Sequence, residues 1–253
     1  QPIGEWDVSS STDMTSMFQY NENFNQDLSK WNTSNVTNMG AMFRSTNMQH
    51  ALSSSYQNHP TRGEYIAWDT SNVTNMAFMF QNNLSYKITT SGYNQDINNW
   101  NISQVTDMSG MFSGDSNTIS SFNQDISTKP ITIGAGTSLE TTYNAWDVSK
   151  VRYFGFYNES TYTGYLPYGT FYNNRSFNQP IGNWQINTGS TIYLRDMFHY
   201  ASSFNQPISQ SMVTVGSKTY EAWNVKKASS LRSTFALATN FNQDISNWDI
   251  SGS

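Results

Sequence analysis

Tryptophan recurs along the chain at the centre of a repeated pattern of apolar and polar positions. The eight tryptophans stand at positions 6, 31, 68, 100, 146, 184, 223 and 248. The pattern around them reads Phe-Asn-Gln-Asp/Pro-Ile/Leu-Ser/Gly-x-Trp-Asp/Asn-Val/Ile/Thr-Ser-x-Val-Thr-Asp/Asn-Met-x-x-Met-Phe. A motif that returns at a fixed period of this length is typical of a stacked repeat array. We therefore predict a single domain over 1–253, with seven full repeats and a partial eighth, truncated or uncapped at both ends.

The apolar spacing within one repeat predicts two short elements. Trp100 and Ile102 lie two positions apart and share one face, which is the period of a strand. Met14, Met17 and Phe18 have the i, i+3, i+4 spacing of one helical face. A coil this short buries its apolar side only against a neighbouring coil. We predict a solenoid with one short strand and one short helical turn in each coil.

Three inserts interrupt the array between the Phe-Asn-Gln-Asp-Ile segment and the next tryptophan. They lie at about 53–67, 127–145 and 209–222, on alternate coils. Short loops with glycine between β-branched runs predict β-hairpins. Two coils rise about 9.6 Å, which is also the width of the two strands of one hairpin. Hairpins on alternate coils therefore have the spacing to pair side by side as a continuous second sheet. The alternative is that each hairpin stands separately, and both arrangements stay open. A further class of inserts is predicted to form irregular surface loops, at 81–92, 113–121 and 157–168.

The repeat motif resembles that of the BspA-like leucine-rich-repeat surface proteins. Its Leu-x-x-Trp-x-Val core looks like Leu-x-x-Leu-x-Leu with tryptophan in the second slot. The resemblance implies a right-handed, leucine-rich-repeat-like solenoid, exposed on cell surfaces and usually assigned to adhesion or host interaction. The repeats around Trp146, Trp184 and Trp223 lose part of the Val-Thr-x-Met signature.

Composition and charge narrow the function classes. Charged residues make up only 12% of the chain and aromatic residues 15%, which argues against disorder. The net charge of −5, without a lysine and arginine cluster, predicts that the protein does not bind nucleic acid. No apolar run of membrane-spanning length occurs, so we predict no transmembrane segment. The absence of cysteine excludes disulfides, thiolate zinc sites and cysteine nucleophiles.

The position after each tryptophan is the candidate binding surface. The strand period places this position opposite the buried tryptophan, on the solvent side. We predict an exposed strand-face ladder with little charge, suited to weak multivalent contacts with proteins or glycans. Its members are Asp7, Asn32, Asp69, Asn101, Asp147, Gln185, Asn224 and Asp249.

Two other columns of the repeat carry side chains that could bind a ligand or the backbone. The aspartate of Phe-Asn-Gln-Asp would suit a calcium ladder, but Pro180 and Pro207 occupy the same slot, so a turn explains the column better. The asparagine of Phe-Asn-Gln is predicted to hydrogen-bond backbone at the coil corner. We predict no catalytic, cofactor or metal site, although carboxylate catalysis on polysaccharides stays open. The aspartates are Asp27, Asp96, Asp125 and Asp244.

These observations lead to two hypotheses of function. The first is a non-enzymatic adhesion or interaction module at a cell surface or outside the cell, with proteins or glycans as partners. The alternative is a structural subunit of an extracellular filament, sheath or virion, in which copies of the chain meet end to end or side by side.

Overall fold

A computed structural model describes residues 2–82, 92–115, 117–155, 168–186 and 189–252. Within these ranges the regular elements are six strands, paired as three antiparallel hairpins. Each hairpin occupies one of the three inserts that precede a tryptophan. The strands are β1 (Ser55–His59), β2 (Gly63–Ala67), β3 (Lys129–Ile133), β4 (Thr141–Ala145), β5 (Ser211–Val215) and β6 (Lys218–Ala222).

The turn chemistry of the inserts accounts for the hairpins. Gly216 and Ser217 form the two-residue connection between β5 and β6, and Gly216 has a φ of 58°. That left-handed conformation is required in a tight hairpin turn, and glycine adopts it without steric cost. Val215 and Lys218 then face each other as the first cross-strand pair.

The predicted leucine-rich-repeat-like solenoid, with a short strand and a short helical turn in every coil, is wrong. No helix is present in the parts of the chain that the structure describes, and the strands there belong to the hairpins alone. Successive repeats instead meet through isolated parallel bridges, such as Asp13 with Asn38 and Asn38 with Asn75. The repeats are therefore built from turns that are hydrogen-bonded to the neighbouring repeat.

The Met-x-x-Met-Phe segment shows why helical spacing was misleading. Met14, Ser16 and Phe18 donate their backbone N–H groups to carbonyls of the next repeat, at 2.9, 2.9 and 3.0 Å. A helix would keep these bonds within the segment. Ser16 has a φ of 56°, in the left-handed region that a right-handed helix does not contain. In the next repeat the i, i+3, i+4 positions Met39, Met42 and Phe43 are all buried, so the pattern marks the buried side of successive turns. In the first repeat Met14 and Phe18 are buried, whereas Met17 is exposed.

The core consists of side chains that stack from one repeat to the next. Trp100 is fully buried, and its ring lies parallel to those of Trp68 and Trp146, with centroids 6.1 and 6.5 Å apart. A column of stacked phenylalanine rings runs beside the tryptophans, with the centroids of neighbouring rings between 5.4 and 6.1 Å apart. Its members are Phe18, Phe43, Phe80, Phe112, Phe171, Phe198 and Phe235.

The tryptophan column also carries a hydrogen bond that the sequence pattern did not predict. In seven of the eight tryptophans, all except the exposed Trp6, the indole N–H donates to the backbone carbonyl of an isoleucine or leucine from an earlier repeat, at 2.7–3.0 Å. A buried indole needs such a partner, and leucine or phenylalanine would leave the carbonyl without this donor. The pairs are Trp31 with Ile3, Trp68 with Leu28, Trp100 with Leu52, Trp146 with Ile97, Trp184 with Ile126, Trp223 with Ile181 and Trp248 with Ile208.

The asparagines of the Phe-Asn-Gln segments hydrogen-bond backbone at the coil corner, as predicted. Asn178, for example, accepts the backbone N–H of Asn205 at 2.9 Å and the side-chain amide of Gln206 at 3.1 Å. Each asparagine therefore ties its repeat to the next one. The side-chain oxygens that accept in this way belong to Asn25, Asn94, Asn123, Asn178 and Asn205.

Of the three inserts predicted as surface loops, the structure describes mainly the one at 113–121. Residues 83–91 and 156–167 lie outside the described part of the chain, and they make up most of two of these inserts. In the insert at 113–121, Asp115 and Thr118 are buried. The Thr118 hydroxyl donates to the carbonyl of Asn82 at 2.6 Å. This insert is therefore packed inward, with Ile119 among its exposed residues.

Candidate functional site

The eight ladder positions lie on the solvent side of the repeats but on none of the described strands. Asp7 is exposed and the other seven are half-buried. In all except Gln185, the side-chain oxygen accepts the backbone N–H two residues later, at 2.9 Å for Asp69 and 3.0–3.2 Å for the other six. This bond closes a turn directly after the tryptophan. The acceptors are Asp7, Asn32, Asp69, Asn101, Asp147, Asn224 and Asp249.

The hydrogen bonds that close these turns also keep Asp7 and Asp249, the first and last members of the ladder, ionised. The Ser9 hydroxyl, followed by the Ser9 backbone N–H, lowers the pKa of Asp7. The Ser251 hydroxyl and N–H, together with Lys226 at 3.0 Å, lower the pKa of Asp249 to about 2. These positions therefore carry their negative charge throughout the physiological pH range.

The aspartates of the Phe-Asn-Gln-Asp segments, the candidate calcium ligands, close turns in the same way as the ladder residues. Each accepts the backbone N–H two residues later at 2.8–2.9 Å, so turn geometry explains the column. Among the residues that the structure describes, no group of three or more histidine, aspartate and glutamate side chains is placed to hold a metal ion. The aspartates are Asp27, Asp96, Asp125 and Asp244.

A tyrosine anchors each hairpin to the repeat that precedes it. The Tyr143 hydroxyl donates to the backbone carbonyl of Asn99 at 2.5 Å, and burial raises the pKa of Tyr143 to about 12. The tyrosine of the recurring Tyr-x-Ala-Trp segment was visible in the sequence, but its role was not predicted. The equivalent bonds join Tyr65 to Lys30 at 2.7 Å and Tyr220 to Asn183 at 2.6 Å.

The hairpins stand close together without forming a continuous sheet. Each of the three sheets has two strands, so of the two arrangements left open by the sequence the described chain has separate hairpins and not a continuous second sheet. The turn of the third hairpin, rather than one of its strands, faces the second hairpin: a Cβ atom at Gly216 would lie 3.5 Å from Oδ1 of Asn144 and 3.9 Å from Cβ of Pro130. The first two hairpins meet through the Ser138 hydroxyl, which donates to Glu64 at 2.5 Å.

The hairpins and the middle of the ladder enclose two clefts. The smaller cleft, of about 70 Å³, lies between the first and second hairpins and includes Asp69, Asn101 and Tyr143. The larger one, of about 470 Å³, lies between the second hairpin and the turn of the third, and we call it the inter-hairpin cleft. The residues that define it are Asn101, Thr142, Tyr143, Asn144, Asp147 and Lys218.

Charge within the inter-hairpin cleft is balanced. Asp147 lies on its floor, and Nζ of Lys218 from β6 lies 3.5 Å from Oδ2 of Asp147. The remaining lining side chains are amides, hydroxyls and rings, so the cleft offers hydrogen bonds without net charge. The structure thus brings two ladder residues, Asn101 and Asp147, into one concave site. The sequence placed the hairpins directly before the tryptophans, but it did not predict that they would enclose the ladder residues that follow those tryptophans.

Comparison with known proteins supports the repeat and adds little about chemistry. Searches among curated proteins and among solved structures find no match. The described residues also contain no helix that could cross a bilayer. The resemblance to BspA-like proteins therefore stays a prediction. The chain matches the family model described as "Mycoplasma protein of unknown function, DUF285" over residues 1–66, 52–135 and 167–253. Since these ranges cover more than half of its length, the chain belongs to this family of repeat proteins.

Proposed function

We propose that this protein is a non-enzymatic interaction module that works at a cell surface or outside the cell. Its hairpin-bearing side is the binding side, with proteins or glycans as partners. The observation that carries the proposal is the convergence of the ladder and the hairpins on the inter-hairpin cleft. Concave sites with a few placed polar groups are the usual form of ligand sites.

The anchoring of the hairpins to the repeats supports a binding role. Each hairpin is anchored by its tyrosine, and the second is held again at its base, where the Thr128 hydroxyl donates to the carbonyl of Trp146 at 2.8 Å. Binding residues that a rigid scaffold holds in place lose less conformational entropy on association. The repeat core provides such a scaffold, because Trp146 is fully buried.

The carboxylates near the cleft favour binding over catalysis. General acid–base work on a glycosidic bond uses two carboxyl groups on opposite sides of the substrate. Asp147 instead accepts the backbone N–H of Ser149 at 3.0 Å and pairs with Lys218. Asp69 closes its own turn in the same way, through the N–H of Ser71 at 2.9 Å.

An array of glycans and extracellular matrix proteins, probed with the protein displayed at high density, tests the proposal. High density is needed because weak single contacts become measurable when many act together. We expect Thr142→Trp, which fills the binding side, to lower the signal about tenfold or more. Glu22→Trp, an exposed position in the turn between Phe18 and Phe24, serves as the matched control and should leave the signal unchanged. An array without any signal, or equal loss in both variants, contradicts the proposal.

The structural-subunit hypothesis is tested separately by light scattering. An assembly of identical chains grows with protein concentration, because heterologous contacts need not close. Under our proposal the protein keeps one molecular mass over a wide concentration range. Growth of the particle mass with concentration would favour the filament, sheath or virion alternative.

A further inference from the structure

We infer that the inter-hairpin cleft binds an uncharged saccharide. This inference rests on the proposed function and names the ligand class of the same binding side. Three features of the cleft carry it: its volume, the neutrality and chemistry of its lining, and the orientation of its walls.

The volume of the cleft fits a short saccharide. At about 470 Å³ it lies within the range of about 300–1,000 Å³ that is usual for small-molecule sites. The smaller cleft, which shares Asn101 and Tyr143 with it, continues the surface toward the first hairpin. A ligand longer than one sugar unit would therefore extend from the inter-hairpin cleft across Tyr143.

The lining matches the chemistry of a sugar ring. Asn144 and Thr142 bring an amide and a hydroxyl, groups that both donate and accept hydrogen bonds, as sugar hydroxyls do. Pro130 adds the apolar face of its ring, which suits the C–H face of a pyranose. Lys218 is already paired with Asp147, so a phosphate or a carboxylate would have to compete with an internal carboxylate.

The orientation of the walls argues against a peptide that adds as a strand. Strand addition needs the open edge of a sheet, where backbone N–H and C=O groups are unpaired. One wall of the cleft is a face of the second hairpin: Pro130 and Asn144 are cross-strand partners, and Thr142 shares their face by the two-residue period. The opposite wall is the turn at Gly216 and Ser217.

Titration calorimetry with uncharged oligosaccharides of glucose, galactose, mannose and N-acetylhexosamine units tests the inference, using the whole chain. We expect at least one of these probes to bind. Asn144→Ala should weaken that binding about three- to tenfold, the usual effect of one lost hydrogen bond. Its control is Asn58→Ala, an exposed strand amide of the first hairpin. That variant should bind like the unaltered protein.

A second pair of variants separates blocking of the cleft from loss of folding. Ser217→Trp places a bulky ring in the cleft from an exposed turn, and we expect it to reduce saccharide binding at least tenfold. Ala135→Trp makes the same change in the exposed turn of the second hairpin and should have no effect. Saccharide binding that survives Ser217→Trp overturns the inference, as does binding of acidic sugars or peptides alone. If matrix proteins bind on the array while no saccharide does, the inference fails and the proposed function stands.

Discussion

Replacement of Trp100 by alanine should unfold several repeats at once. Trp100 is fully buried, and its ring stacks between Trp68 and Trp146. Its indole N–H donates to the Leu52 carbonyl at 2.7 Å. Its own carbonyl accepts the N–H of Trp146 at 3.1 Å, so the residue contacts the repeats on both sides.

The expected cost follows from these contacts. Truncation of a buried tryptophan to alanine costs about 3–5 kcal/mol through lost burial and the cavity that remains. Loss of the indole donor to the buried Leu52 carbonyl adds about 1 kcal/mol or more. Asn101 gives a contrast at the next position, because its Oδ1 accepts only the N–H and hydroxyl of Ser103, at 3.2 and 2.8 Å. We expect Asn101→Ala to cost about 1 kcal/mol.

Urea unfolding, followed by the fluorescence of the remaining tryptophans, measures both costs. Hydrogen exchange then shows how far the damage spreads. In a repeat array each repeat depends on its neighbours, so amides around Trp68 and Trp146 should exchange faster in Trp100→Ala. Trp100→Phe keeps most of the ring volume but loses the N–H, and should fall between the two other variants. Equal unfolding free energies for Trp100→Ala and Asn101→Ala would refute the assignment of inside and outside in this repeat.

Three further predictions concern single polar groups. Burial raises the pKa of Asp107, so its ionised carboxylate costs stability at neutral pH. Asp107→Asn should therefore raise the melting temperature at pH 7, with a gain that shrinks toward pH 4. Asp13→Asn, at an exposed position where the pKa is lowered, is the control and should bring no gain. Tyr143 has a folded-state pKa raised from 10.0 to about 12, so its contribution to stability is complete below pH 10 and is lost as the pH rises to 12. Urea unfolding at these pH values should show that Tyr143→Phe lacks this loss. Asn178→Ala should cost about 1 kcal/mol in the same assay, whereas Asn178→Asp, which keeps the oxygen that accepts the N–H of Asn205, should cost less.

Much of the candidate site was open to prediction because it depends on periodicity. The alternation of Trp100, Asn101 and Ile102 places the first and third inside and the second half-exposed, as the two-residue period requires. The enclosure of Asn101 and Asp147 by hairpins was not predicted. The enclosure depends on the position of each hairpin relative to the repeats. That position depends on contacts between residues more than 70 positions apart in sequence, such as Ser138 with Glu64.

The repeat, the burial of the tryptophans from Trp31 to Trp223 and the hairpins could all be predicted from the sequence, because each follows from local spacing or from a turn residue such as Gly216. The backbone conformation of the Met-x-x-Met-Phe segment depends instead on contacts between repeats. The spacing of Met39, Met42 and Phe43 is compatible with a helix, and it is equally compatible with the turns that bury these side chains in the structure. The choice between them rests on where the backbone N–H groups find acceptors. In a stacked array those of Met14 and Phe18 find them in the next repeat, which no single segment contains.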